Sequence, residues 1–132
     1  IEAGLEGSWV STQDTESEYP TYYVISRDDK FQATAKKMEF SSSDSAYSET
    51  IYTLTFSDVN GEVFMNAIEK GGSTYNLYKF NFDEKAGEIY TSEVTDYIKE
   101  TFSTSKELKD LIAKNKSNSY FFTNTNETYV RK

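Results

Sequence analysis

Thr50-Ile51-Tyr52-Thr53-Leu54-Thr55-Phe56-Ser57-Asp58-Val59-Asn60-Gly61-Glu62-Val63-Phe64-Met65-Asn66-Ala67-Ile68 reads as a complete β-hairpin. Tyr52, Leu54 and Phe56 alternate with Thr53 and Thr55, the period of two that puts one side of a strand in a core and the other toward water. Asp58-Val59-Asn60-Gly61 supplies the turn, because Asn-Gly accepts the positive φ that tight hairpins need. Glu62–Ile68 is the return strand.

The same grammar extends in both directions. Downstream, Lys70-Gly71-Gly72-Ser73 is a turn before a strand over Thr74–Phe82, where Tyr78, Phe80 and Phe82 share a face. Asp83-Glu84-Lys85-Ala86-Gly87 turns the chain again into Glu88–Thr95. Upstream, Leu5–Thr12, Thr21–Arg27 and Phe31–Phe40 are strand-like. They are separated by the acidic loop Gln13–Pro20 and the Asp28-Asp29 turn, and Ser41–Ser45 reads as a flexible loop. Seven strands thus follow one another with no helix between them, and the economical topology is a meander.

A helix is expected late. Thr104-Ser105-Lys106-Glu107 fits a capping box, Leu108, Leu111 and Ile112 form an apolar stripe, and Asn115 marks a stop. A final strand pair or bent strand is expected over Ser119–Lys132. The expected fold is therefore mainly all-β: a single antiparallel up-and-down β-barrel of about eight strands with one short helix before the last strand. One domain spans residues 1–132, since no boundary or repeat interrupts it.

Composition narrows the chemistry. Eleven Tyr, nine Phe and one Trp suit half-buried strands. A net charge of −8, with 14 Lys and Arg against 22 Asp and Glu, disfavours nucleic acid and anionic membranes as partners. There is no Cys and no His, which removes disulfides, thiolate and imidazole metal sites, and His-based acid–base chemistry. The acidic run Asp14-x-Glu16-x-Glu18 lacks the spacing, central Gly and terminal Glu of an EF-hand loop. No enzyme activity, cofactor or metal is expected. No stretch approaches the roughly 18 apolar residues of a transmembrane helix. The chain opens directly into strand-like sequence without an initiator Met, as a trimmed or processed form would.

Two constellations stand out. Closing a meander pairs its first and last strands, so Gly7 and Trp9 are expected to meet Arg131 at one barrel end. There the guanidinium can stack on the indole and bond neighbouring carbonyls as a structural seal. Gly7-Ser8-Trp9 with Arg131 on the last strand resembles the calycins, the superfamily of lipocalins and fatty-acid-binding proteins. The resemblance implies an eight-stranded barrel that holds a small molecule, although lipocalins place their helix after the eighth strand. The segment Glu93–Lys132 is similar to that of small bacterial surface or periplasmic lipoproteins with lipocalin-like domains. That likeness implies an extracytoplasmic protein whose signal and anchoring Cys lie upstream.

The second constellation is the aromatic strand face Tyr23, Tyr52, Phe56, Tyr78, Phe80 and Tyr90. Tyr hydroxyls converging in a barrel make an apolar pocket with polar tips, and these six residues are the expected ligand-binding set. A solid core with Tyr at its edges is the structural alternative. The functional expectation is non-enzymatic binding of a small apolar or amphipathic ligand in a cavity of at least roughly 300 Å³. The alternative is a protein-binding or inhibitor module with a filled barrel, acting through Gln13–Pro20 and Ser41–Ser48.

Overall fold

A computed structural model of the chain describes residues 3–59, 61–72, 75–94, 110 and 122–132. A 3-10 turn, Ala3–Leu5, leads into eight strands: β1 (Gly7–Ser11), β2 (Tyr22–Arg27), β3 (Gln32–Ser41), β4 (Ala46–Val59), β5 (Glu62–Glu69), β6 (Tyr75–Asp83), β7 (Glu88–Val94) and β8 (Phe122–Arg131). They form a closed barrel in chain order, every neighbour antiparallel. Closure is made by β1 on β8, with Trp9 opposite Arg131, Val10 opposite Val130 and Ser11 opposite Tyr129. An eight-stranded up-and-down barrel is compatible with a lipocalin-like fold. The helix expected over Thr104–Asn115 lies outside the described residues apart from Asp110.

Short polar side chains set the turns. The Asp58 carboxylate accepts from Gly61 N (2.9 Å), that of Asp83 from Ala86 N (3.1 Å), and that of Asp29 from Phe31 N (2.8 Å). Each is the local side-chain bond that makes Asp a turn residue. The Ser41–Ser48 stretch is more regular than a loop reading allows. β3 continues to Ser41 and β4 begins at Ala46, leaving a tight turn in which Ser45 has φ 50°. The polar residues there extend a hairpin because Phe40 pairs with Tyr47 across it, ring centroids 5.4 Å apart. Tyr47 also donates its hydroxyl to Pro20 O at 3.0 Å, tying the hairpin to the Gln13–Pro20 loop.

Strand parity sorts the interior into two layers. In the half nearer the β2–β3, β4–β5 and β6–β7 turns, Leu5, Trp9, Ile25, Ala33, Leu54, Phe56 and Ile89 are buried. Phe82 meets Trp9 edge-on at 5.9 Å, and Phe80 meets Phe56 at 5.0 Å. In the other half, Tyr23, Tyr52, Tyr78 and Tyr129 face inward with Ala35 and Ala67. One end of the barrel is apolar and packed, the other lined by phenols.

Candidate ligand-binding cavity

The packed end is sealed by the first and last strands. Arg131 lies over the Trp9 indole, its guanidinium carbon 4.1 Å from the ring centroid. Its Nη1 donates to Glu6 O (2.6 Å) and its Nη2 to Gly4 O. The indole Nε1 donates to Leu5 O at 2.8 Å, so the 3-10 turn is pinned across the barrel mouth from both sides. Leu5, 2% exposed, is the plug. Gly7 is required twice over: its φ is +127°, and a Cβ there would approach Arg131 Nη1 to 2.5 Å. Gly7, Trp9 and Arg131 are thus together at one barrel end, as the strand-closure argument requires.

Above Trp9 lies an interior cavity of about 190 Å³. Its floor is Trp9, Ile25, Leu54, Phe80 and Ile89, and its walls carry Tyr23, Tyr52, Tyr78, Tyr129 and Met65. The space exists because Ala35 stands opposite Tyr52 and Ala67 opposite Leu54 and Asn76, so small side chains face large ones. The volume is below the roughly 300 Å³ expected of a pocket for a drug-sized molecule. The tyrosine rings fill the upper half: Tyr23 and Tyr129 touch edge to face at 5.7 Å. A second hollow of about 350 Å³ lies at the sealed end, between Leu5, Phe56, Phe80 and the turn residues Lys30 and Phe31. Phe31 is 67% exposed there, and no set of hydroxyls converges on that hollow among its described lining residues.

The phenols sit in a half-buried and negative environment. Burial, then the neighbouring Tyr52 and Tyr78, then Glu39 and Glu127, push the Tyr23 hydroxyl from 10.0 up to about 12. Burial is also the largest cause raising Tyr129, with Tyr23, Glu127 and Tyr78 adding to it and a Thr91 hydrogen bond opposing it. Tyr78 is raised by burial, Glu93 and Tyr52. These groups therefore stay protonated at neutral pH and act as hydroxyl donors and acceptors. Glu127 accepts from Ser11 Oγ at 2.8 Å, and Lys37, which lines the cavity, pairs with Glu39 at 3.7 Å.

Of the six expected ligand-binding residues, Tyr23, Tyr52, Tyr78 and Phe80 line this cavity. Phe56 packs beneath it against Phe80 and borders the second hollow instead. Tyr90 is a correction: it faces outward, 38% exposed, opposite Asn81 and Thr128, and donates its hydroxyl to Glu88. Its neighbours Ile89 and Thr91 are the inward pair of β7. Tyr129, Lys37, Thr91 and Asn76 belong to the lining and were missed by aromatic pattern alone. Closure offered a signal for Tyr129: if Arg131 faces Trp9, the residue two earlier on β8 must face inward too.

No family model, curated protein or solved structure matches the chain. Among the described residues, no helix is long and apolar enough to cross a membrane. The fold and the cavity are the ground for a functional reading.

Proposed function

We propose that this barrel is a non-enzymatic, lipocalin-like carrier that binds one small amphipathic molecule in its interior. The observation that carries this reading is the cavity of about 190 Å³ between an apolar floor and a ring of tyrosines. The apolar part of a ligand would rest on Leu54, Met65, Phe80 and Trp9, with its polar end toward the phenols of Tyr23, Tyr52, Tyr78 and Tyr129. An engineered cavity of about 150 Å³ accommodates benzene, so the volume suits one ring with a short substituent rather than a long acyl chain. The lipocalin-like reading carries with it an extracytoplasmic setting, surface-anchored or periplasmic.

Native mass spectrometry of gently purified protein, followed by denaturing extraction, tests the proposal. A stoichiometric small-molecule adduct that Tyr78→Ala loses supports it. A clean mass, together with no change in the fluorescence of Trp9 on titration with 2-phenylethanol, rejects it. Trp9 is the sole tryptophan and forms part of the cavity floor, so it reports occupancy directly.

A second reading, a protein-binding or inhibitor module, rests on a separate surface. Tyr19, 50% exposed, stacks on Phe40 at 4.1 Å, and Phe40 meets Tyr47, which meets Tyr22 at 5.3 Å. The Gln13–Pro20 loop and the β3–β4 hairpin thereby share one aromatic surface outside the barrel. An empty cavity with a partner lost on Tyr19→Ala would select this reading.

A further inference from the structure

We propose that the polar end of the ligand is a cation, a protonated amine on a body about one ring in size, held at the cavity mouth between tyrosine rings and carboxylates. This rests on the cavity being a binding site, and it names the ligand class. Three observations about the mouth carry it.

The first is charge placed by register. Glu69 stands opposite Tyr52, Glu93 opposite Tyr78 and Glu127 opposite Thr91, while Glu39 lies two residues beyond Lys37 on the same face of β3. The inward parity of these strands therefore carries four carboxylates just outside the cavity lining, against Lys37 as the cation among the described lining residues. Lys37 is already paired to Glu39 at 3.7 Å, so an incoming carboxylate would compete for it while meeting the remaining acids. A like charge brought into a half-buried site is disfavoured, whereas an ammonium is drawn in.

The second is the chemistry of the walls. Tyr23 and Tyr129 present rings to the cavity above Trp9, and aromatic faces attract ammonium groups once water is displaced. Their hydroxyl oxygens, with the Glu127 carboxylate on Ser11, are acceptors suited to an N–H donor. The field at these phenols agrees with this geometry. Among the described residues, the acids and phenols beside Tyr23, Tyr78 and Tyr129 add to burial in raising these hydroxyls, and a Thr91 hydrogen bond opposes them at Tyr129.

The third is size. The cavity is about 190 Å³ with Trp9 and Phe80 as its floor, which leaves room for a ring and a short chain. The amine must therefore reach the mouth while the ring occupies the interior.

The test compares three probes of one shape: 2-phenylethylammonium, 2-phenylethanol and 3-phenylpropanoate, titrated at neutral pH and low salt by calorimetry and by Trp9 fluorescence. The ammonium should bind about tenfold or more tighter than the alcohol, and the carboxylate weakest. Glu127→Gln should reduce that preference about tenfold, with Glu93→Gln as a second variant should the first disturb folding, while Lys37→Gln should strengthen ammonium binding. If the alcohol or the carboxylate binds as well as the ammonium, the cation inference is overturned and the carrier reading stands. If none of the three binds, both fall. Ammonium binding that survives Ala35→Leu, which fills the cavity, would be attraction to the acidic surface and would also overturn the inference.

Discussion

Tyr23 of β2 and Tyr129 of β8 touch edge to face at 5.7 Å across β1, the strand that separates them. Neither strand pairs with the other, so the contact is made inside the barrel, above Trp9. It places two phenols where they are half-buried and carboxylates are near.

That arrangement predicts alkaline sensitivity. Tyr23 is raised from 10.0 to about 12 in the folded protein, chiefly by burial, and Tyr129 is raised in the same direction. A group whose pKa is higher folded than unfolded contributes stability that is complete below the unfolded value and is lost as pH climbs through the folded one. Stability should hold to about pH 10 and fall between pH 10 and pH 12. Tyrosinate absorbance should rise in two groups, the late one shrinking in Tyr129→Phe. A single titration near pH 10 with the fold intact would contradict this.

The seal at the other end makes a thermodynamic prediction. Arg131→Ala removes the stacking on Trp9 and the bonds to Glu6 O and Gly4 O, and should cost about 1–3 kcal/mol in chemical denaturation. Arg131→Lys should recover little, because an ammonium cannot reproduce the planar fork. Gly7→Ala should also cost about 1–3 kcal/mol, from positive φ and from the approach of its Cβ to Arg131. In the Arg131→Ala background that cost should shrink without vanishing, since only the contact is relieved. Fully additive losses would show that the two residues do not share one constraint.

Much of the barrel is legible in the sequence because alternation and turn chemistry are local. Tyr52, Leu54 and Phe56 against Thr53 and Thr55 name a face, and Asp58 and Asp83 name turns. The joining of Trp9 to Arg131 is legible too, since a closed meander leaves its end strands no other partner. Tyr90 shows where this stops. Its strand has polar residues on both faces, and only the register against β6, with Phe82 opposite Ile89, reveals which face is inward. The start of β4 is hidden for a related reason: Ser41–Ser45 reads correctly as the turn, but nothing in Ala46–Glu49 marks a strand, because the Phe40–Tyr47 contact that extends the hairpin is non-local in pattern. Cavity size is not legible either, because it depends on Ala35 and Ala67 facing large residues across strands.

Core and surface positions should respond differently. Leu54→Ala, at a site 5% exposed on the cavity floor, should cost about 2–5 kcal/mol by lost burial and an enlarged void. Tyr90→Phe, at an outward site, should change stability by no more than about 0.5 kcal/mol and leave ligand retention as it was. Loss of a retained ligand in Tyr90→Phe would place the binding site outside the barrel.

The small residues of the wall make the sharpest separation of stability from binding. Ala67 is 8% exposed, faces Leu54 and Asn76, and borders the cavity directly. Ala67→Leu adds three carbons into existing space, so the lost void offsets most of the crowding, and the net change should stay within about 1.5 kcal/mol of zero. Ligand binding should nevertheless be abolished, because about 190 Å³ leaves no room for both the new side chain and a ring. Thermal denaturation and the 2-phenylethanol titration, run side by side, check the two halves. A destabilisation near 3 kcal/mol or more would mean that the space closes in solution and the interior is already packed.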